Sequence, residues 1–171
     1  MSVEQTIVIG IISSIIASIV FYLLMILIKP RFVISDKISC IKVDDEYMDY
    51  MIKIVNKTRS VITNVNYMLT YCVEGEDGIV EIYTVAPLKS PIMNIDKYTR
   101  KNTDYAVRIT YRIRNGEYVL KENTFFDFTF QAYHSFSNAM RIKKQIFYKA
   151  SIREGIFETG RSTKILNHKM K

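Results

Sequence analysis

The pattern of apolar and polar residues divides this chain into two parts. From Thr6 to Ile28 the residues are mostly aliphatic and none is charged. At a rise of ~1.5 Å per residue, a helix over this run is ~34 Å long, enough to cross a ~30 Å hydrocarbon core. No polar face interrupts the run, which does not suit the surface helix of a soluble domain. The pattern predicts a transmembrane helix over 6–28, preceded by a tail at 1–5.

A secretory signal peptide is the alternative interpretation of this N-terminus. Signal peptides begin with basic residues and end in a small-residue cleavage site. Here the first five residues, MSVEQ, hold no Lys or Arg, and the apolar run ends in Ile-Leu-Ile before Lys29 and Pro30. These features favour an anchor that is retained.

The basic residues nearest to the apolar run all lie on its C-terminal side, at Lys29, Arg31 and Lys37. By the positive-inside rule they place residues 29–171 in the cytoplasm and the short tail outside. A cytoplasmic domain would keep Cys40 and Cys72 as reduced thiols.

Small and hydroxyl residues recur at every fourth position of the predicted helix. The row consists of Thr6, Gly10, Ser14, Ser18 and Tyr22. Small residues at this spacing let two membrane helices approach closely, which predicts self-association through Gly10, Ser14 and Ser18. In the alternative, each hydroxyl bonds to a carbonyl of its own helix.

After Pro30, which ends the helix, the hydrophobic period becomes two. In 107–113, Val107, Ile109, Tyr111 and Ile113 share one face, and 65–73 and 126–132 alternate in the same way. Alternation of this kind is typical of half-buried antiparallel strands. The pattern predicts strands near 32–43, 48–56, 62–73, 79–86, 92–97, 104–114, 117–133 and 141–152.

Turn residues separate these strands. Asn115-Gly116 is a hairpin signal, and 74–78 reads as a second hairpin loop. Seven or eight strands with no long amphipathic helix predict an all-β antiparallel sandwich, with a small β-barrel as the alternative. Its core is expected to be aromatic, since the chain holds 12 Tyr and 9 Phe. The domain is expected over 29–160, followed by a basic tail at 161–171.

Two stretches resemble a known domain. Residues 50–69, YMIKIVNKTRSVITNVNYML, read as a strand, a basic turn and a strand, and 128–137 with 148–157 end in an acidic-glycine-aromatic turn. Together they resemble the immunoglobulin-like cytoplasmic domain of inward-rectifier potassium channels. The resemblance implies an immunoglobulin-like sandwich but no channel, because a pore helix and selectivity filter are missing. The overall plan also resembles small bacterial membrane effectors of anti-phage defence.

Catalytic motifs are absent from the sequence. His134 precedes Ser135, but no nucleophile, base and acid pattern accompanies them. The acidic group at 44–49 lacks the glycine and terminal Glu of a calcium loop. No Cys/His cluster or phosphate-binding glycine loop occurs. We therefore expect a protein that is not an enzyme and has no metal or cofactor.

Charge refines this picture. The net charge is +7, and all 24 Lys and Arg but only 16 of the 17 Asp and Glu follow residue 28. The basic clusters are Arg108 with Arg112 and Arg114, Arg141 with Lys143 and Lys144, a loop group at Lys97, Arg100 and Lys101, and a tail group at Arg161, Lys164, Lys169 and Lys171.

These clusters favour attraction to the anionic inner leaflet of the bilayer. The alternative is an anionic, nucleotide-like ligand gripped by Arg108, Arg112, Arg114, Arg141, Lys143 and Lys144. Nucleic-acid binding is not expected, since no recognition motif accompanies the charge.

The sequence thus predicts a non-enzymatic, single-pass protein of the bacterial inner membrane. Its cytosolic sandwich would bind a partner or ligand, and the chain would form a homo-oligomer. The alternative function is a membrane-disrupting effector of a bacterial anti-phage signalling system, gated by the nucleotide-like ligand. An enzyme with an unrecognised site around His134 is a third hypothesis.

Overall fold

The computed structural model describes residues 3–89, 91–99 and 103–167. A helix, α1 (Val3–Leu27), opens the chain and is long and apolar enough to cross a membrane. Strands follow at β1 (Phe32–Ile34), β2 (Ile38–Lys42), β3 (Tyr47–Asn56), β4 (Ile62–Glu74), β5 (Val80–Val85), β6 (Ala106–Arg114), β7 (Thr124–His134), β8 (Met140–Phe147), β9 (Ile152–Glu154), β10 (Ile156–Phe157) and β11 (Ile165–Leu166). The predicted fold class, an apolar helix followed by a β-sandwich, is confirmed.

Two sheets form the sandwich. In the four-stranded sheet the order is β5-β4-β7-β8, and every neighbouring pair is antiparallel. In the five-stranded sheet β3 is central, with β6 on one side and both β1 and β2 on the other. Strand β9 completes this sheet by pairing with β2 in the parallel direction. A small hairpin of β10 and β11 follows.

A single aromatic core lies between the sheets. The four-stranded sheet contributes Phe126, Phe128 and Phe130 of β7, which are fully buried, as the alternation predicted. The opposite sheet contributes Ile109 and Tyr111 of β6 to the same cluster. Burial of these large side chains supplies the main stabilisation of the domain.

Four predicted strands differ in the structure. The run 32–43 is two strands, because Ser35 accepts a hydrogen bond from Lys53 N and the chain bends at 36–37. Of the predicted strand 92–97, only Ile95 forms a β-bridge, to Ile62 of β4. Strand β4 bulges close to this bridge, at Asn64, where φ is 49°. In the predicted strand 117–133, the observed strand β7 begins only at Thr124. The predicted strand 141–152 ends at Phe147 as β8 of the four-stranded sheet, and Ile152 begins β9 in the other sheet.

Asn115-Gly116 does not make the predicted hairpin, because β6 and β7 belong to different sheets. A two-residue hairpin turn of this type needs positive φ at both residues. Only Gly116 has it, at 87°. The Asn115 side chain instead donates to the carbonyl of Asp45 and ties the turn to the neighbouring β2–β3 loop. The hairpin expected at 74–78 is present between β4 and β5.

Residues 155–167 lie along the outer side of the five-stranded sheet and are held by a buried lysine. The Lys53 side chain is 1% exposed, and its Nζ donates to the carbonyl oxygens of Glu158 and Ser162. Arg161 stacks on the ring of Tyr98, with 3.3 Å between guanidinium carbon and ring centre. The predicted tail is therefore held to the domain as far as Leu166, which pairs with Ile156.

Replacing Lys53 by methionine is expected to loosen this segment. The two carbonyls would lose their donor inside a desolvated site, at a cost of about 1–3 kcal/mol. Hydrogen exchange of the amides in 156–166 should become roughly tenfold faster or more. Lys57→Met, which changes an exposed lysine just past the end of the same strand, is the control. Equal exchange in Lys53→Met and the native protein would contradict the holding role of Lys53.

Candidate functional site

Three segments meet where the N-terminal helix joins the sandwich: 28–32, 57–60 and 134–137. Backbone bonds fix the first two together, since Lys57 N donates to Arg31 O at 2.7 Å and Arg31 N donates to the Thr58 hydroxyl at 2.7 Å. The third segment donates from the Ser137 hydroxyl to Ile28 O, the carbonyl just past the helix end. The helix end is therefore attached directly to two loops of the domain.

Asn56, the last residue of β3, organises this junction from inside. Its side chain is fully buried, and Nδ2 donates to the carbonyls of Ser60 and Asp96, both at 2.9 Å. Its Oδ1 accepts from Thr58 N at 2.7 Å. A buried amide with both ends bonded specifies one loop conformation. It therefore determines how Lys57 and Arg59 project outward.

An open groove of 510 Å³ lies at the surface of this junction. We call it the junction groove; it is lined by Ile28, Lys29, Arg31, Lys57, Thr58, Arg59, Ser60, His134 and Phe136. Four of these residues are cations, and no Asp or Glu of the described chain lines it. None of the four cations forms an ion pair with another described residue. The groove is therefore an uncompensated positive site, suited to a phosphate or another anion.

The rim of the junction groove is apolar. Phe136, at the tip of the β7–β8 loop, is 66% exposed, and Ile28 is also exposed. A large exposed aromatic beside a cluster of cations is the combination that favours the interface of a membrane, where charge meets the headgroups and the ring meets the acyl boundary. The site thus offers two kinds of contact side by side.

His134 fixes the loop that carries Phe136. The side chain is buried, and its Nδ1 accepts hydrogen bonds from Phe136 N and Ser137 N at 3.3 and 3.2 Å. Burial lowers the pKa of His134 below its usual 6.5. At neutral pH the imidazole is therefore uncharged with Nδ1 as an acceptor. These contacts give His134 a positioning role in the loop.

Acidification is expected to destabilise the domain through His134. Because its pKa is lower in the folded state, the unfolded state binds more protons in that window, so stability falls as pH decreases below about 6.5. The urea midpoint of unfolding should be lower at pH 5.5 than at pH 7.5. His134→Asn keeps an acceptor without titrating, and should reduce this difference. An identical pH dependence in both proteins would contradict the prediction.

The first predicted anion cluster lies on the outer face of β6, where each member is already engaged. Arg112 forms a bidentate ion pair with Asp49 at 2.8 and 3.0 Å. Arg114 pairs with Glu46, and Arg108 donates to the carbonyl of Phe157 at 3.1 Å. These three arginines hold neighbouring strands and the C-terminal segment.

The second predicted cluster, Arg141 with Lys143 and Lys144, lies on β8 in the other sheet. Arg141 Nη1 donates to Pro30 O at 3.5 Å, which adds one more contact to the junction. The structure therefore does not bring the six predicted residues into one site. The predicted basic positions Arg100, Lys101, Lys169 and Lys171, together with His168, lie outside the described residues.

Within α1, Ser18 donates its hydroxyl to Ser14 O at 2.9 Å. This is the bond within one helix that the sequence offered as the alternative to self-association. Gly10 faces open space. Self-association through Gly10, Ser14 and Ser18 stays a prediction.

A second cavity, of 390 Å³, lies at the opposite end of the sandwich and includes Cys40, Tyr50, Arg114 and Tyr118. Burial raises the pKa of Cys40 to about 11, so its thiol is protonated and unreactive near neutrality. In the described part of the chain, no three His, Cys, Asp or Glu residues are grouped as metal ligands.

The junction groove was not predicted from the sequence, although its cations are visible there. Lys29 and Arg31 indicated only orientation, and 56–60 read as a polar break between strands. A comparison with protein-family models found no match, and a comparison with curated proteins found none either. The geometry of the groove is therefore the basis for the function proposed next.

Proposed function

We propose that this chain is a non-enzymatic, single-pass protein of the bacterial inner membrane whose domain rests on the anionic cytoplasmic leaflet. The junction groove would contact the lipid phosphates, and the remaining surface of the sandwich would bind a partner. One observation carries this proposal: four unpaired cations and Phe136 gather at the end of the domain that joins the apolar helix.

The position of the junction groove supports a domain that rests with this end on the cytoplasmic leaflet. Lys29 and Arg31 follow α1 directly, and hydrogen bonds hold 57–58 against Arg31. A helix that ends at the bilayer surface would bring all four cations to the level of the headgroups. The cytoplasmic side is favoured because the basic residues flank only the C-terminal end of the helix.

The expected energy is sufficient to keep the domain on the leaflet. A basic residue close to an anionic surface contributes about 1 kcal/mol, so four contribute about 4 kcal/mol. The helix already holds the domain near the bilayer, and so this energy does not have to offset the loss of translational freedom.

Tryptophan fluorescence can test this contact, because the chain contains no Trp. Phe136→Trp in the full chain would place one reporter at the rim of the groove. In nanodiscs containing phosphatidylglycerol, its emission should shift to the blue and be quenched by lipids brominated on the acyl chain. In phosphatidylcholine nanodiscs, or at 1 M salt, both effects should be weaker.

Charge reversal supplies the matched comparison. Lys57→Glu with Arg59→Glu, in the Phe136→Trp background, should lower the ratio of docked to undocked domain about a thousandfold, since roughly 4 kcal/mol is lost. Lys121→Glu with Lys149→Glu changes the same charge at the opposite end of the sandwich and should leave the emission unchanged. Equal quenching in both double variants would contradict the proposal.

Orientation needs a separate test. Glu76→Cys places a thiol in the exposed β4–β5 loop, whereas Cys40 and Cys72 are buried. A membrane-impermeant maleimide should label this thiol only after the cells are permeabilised. Labelling in intact cells would place the domain outside, and release of a shortened chain lacking α1 would indicate a cleaved signal peptide.

A further inference from the structure

The outer face of the four-stranded sheet carries exposed apolar residues on several of its strands, with polar positions such as Thr129 and Gln131 between them. We call it the outer apolar face; its members are Met68, Val80, Ile82, Phe125, Ile142 and Ile146. Met68, Ile82 and Ile142 are 50%, 64% and 50% exposed. The outer face of an antiparallel sheet is usually polar, and a group of large exposed apolar residues there marks a site of interaction.

The other side of the sandwich differs. There the outer face carries Arg108, Arg112 and Arg114, and residues 155–167 pack along it. The outer apolar face has no covering segment within the described chain. Uncovered apolar residues are therefore a feature of the outer face of the four-stranded sheet and not of the opposite side of the sandwich.

An unpaired carboxylate lies within the outer apolar face. Asp127 of β7 is in register with Ile146 of β8 and Thr70 of β4, and its Oδ1 is buried without a hydrogen-bond partner in the described chain. Burial of a carboxylate oxygen without a donor is costly. Asp127 therefore lacks a hydrogen-bond donor within the described chain, and a cation brought by a second molecule would stabilise its carboxylate.

A suitable donor lies on the same face. Lys144 of β8 is exposed and in register with Thr129, two residues along β7 from Asp127. Within one chain the two groups do not form an ion pair. The face thus holds a cation and an anion on adjacent strands, on either side of the line between β7 and β8.

We propose that two copies of this chain associate through the outer apolar face, so that Lys144 of each copy pairs with Asp127 of the other. A two-fold axis that lies in the interface between the two facing sheets makes both ion pairs at once, because each copy then presents the same residues to the other. The exposed apolar residues of the face would then meet apolar residues of the other copy. The charges make the face complementary to itself, which distinguishes a second copy from an unrelated partner.

The direction of the strands is compatible with anchored copies. Strand β4 begins next to the junction and ends at the 74–78 loop, and β7 runs the opposite way. With the junction on a bilayer, the face would stand upright and be reachable from the side. Anchoring in one membrane would raise the effective concentration, although the contact itself does not require the leaflet contact proposed above.

Charge exchange between full-length chains in detergent can test this interface. Asp127→Lys alone and Lys144→Asp alone should each weaken self-association roughly tenfold or more, because like charges meet twice. A mixture of the two variants should recover association, since one pair is then the native Lys144–Asp127 pair and the other pairs the two substituted positions with their charges exchanged. Association is measured by analytical ultracentrifugation and by capture between differently tagged copies.

A second pair of variants tests the same interface without relying on the folding of Asp127→Lys. Ile142→Glu changes an exposed residue of the face and should weaken association, whereas Met93→Glu, equally apolar but outside the face, should not. Native circular dichroism confirms folding in each case. The proposal is overturned if the native chain stays monomeric at ~100 μM, or if the mixed variants do not recover association. Association that persists in every variant would place the contact in α1.

Discussion

Replacement of Asn56 by leucine should lower the free energy of unfolding by about 3–5 kcal/mol. The side chain is fully buried and bonds the carbonyls of Ser60, Ile95 and Asp96 and the amide of Thr58. Leucine has a similar volume but cannot bond the carbonyls of Ser60 and Asp96 or the amide of Thr58, and the loss of each buried bond costs about 1–3 kcal/mol. Urea denaturation of the full chain, followed by circular dichroism, measures the change.

Asn66→Leu is the matched control for this prediction. Asn66 lies on β4 and is exposed, so its replacement should alter stability by less than about 0.5 kcal/mol. Equal midpoints for the two variants would show that the amide network at Asn56 does not stabilise the junction. Because Asn56 also orders 57–60, the Asn56→Leu variant should lose the proposed contact between the junction groove and the lipid leaflet even at low urea.

Truncation of Phe130 to alanine should be comparably damaging, at about 3–5 kcal/mol. Phe130 is fully buried, and its ring meets that of Phe32 edge to face, with 4.7 Å between ring centres. Phe32 is the first residue of β1, so this pair packs the start of the domain onto the opposite sheet. Thermal unfolding monitored by circular dichroism provides the measurement.

Phe136→Ala also removes a phenyl ring, but at an exposed site, and should affect membrane attachment rather than stability. Its stability should stay near that of the native protein, while attachment to anionic nanodiscs weakens. Unchanged attachment would remove the role assigned to the rim of the junction groove. A stable Phe130→Ala protein would instead show that the core adapts to the lost ring.

Local patterns in the sequence predicted most of the architecture. The apolar run marked α1, and the period of two marked β3, β4, β6 and β7, because burial on one face imposes alternation directly on the sequence. The turn at 115–116 was predicted wrongly because its geometry depends on contacts with Asp45 and Glu46, distant in the chain. The bulge at Asn64 likewise depends on pairing between strands.

The candidate site depends even more on distant contacts. Pairing of Phe32 with Asn56 brings 29–31 beside 57–59, and no local pattern encodes that register. The ion pair of Arg112 with Asp49 on the neighbouring strand also depends on strand register and has no local pattern in the sequence. Basic clusters in a sequence therefore indicate where charge is available, whereas the fold decides which cations remain unpaired.

The parallel pairing of β2 with β9 has a consequence for biogenesis. Ile38 pairs with Ile152, so the five-stranded sheet cannot close until residue 152 has been synthesised. The apolar helix precedes these strands in the chain and would be available for membrane insertion while β3 and β4 still lack their final neighbours. Under the proposed function, the domain would complete its fold after the helix has inserted, with the aromatic strands β4 and β7 exposed during translation.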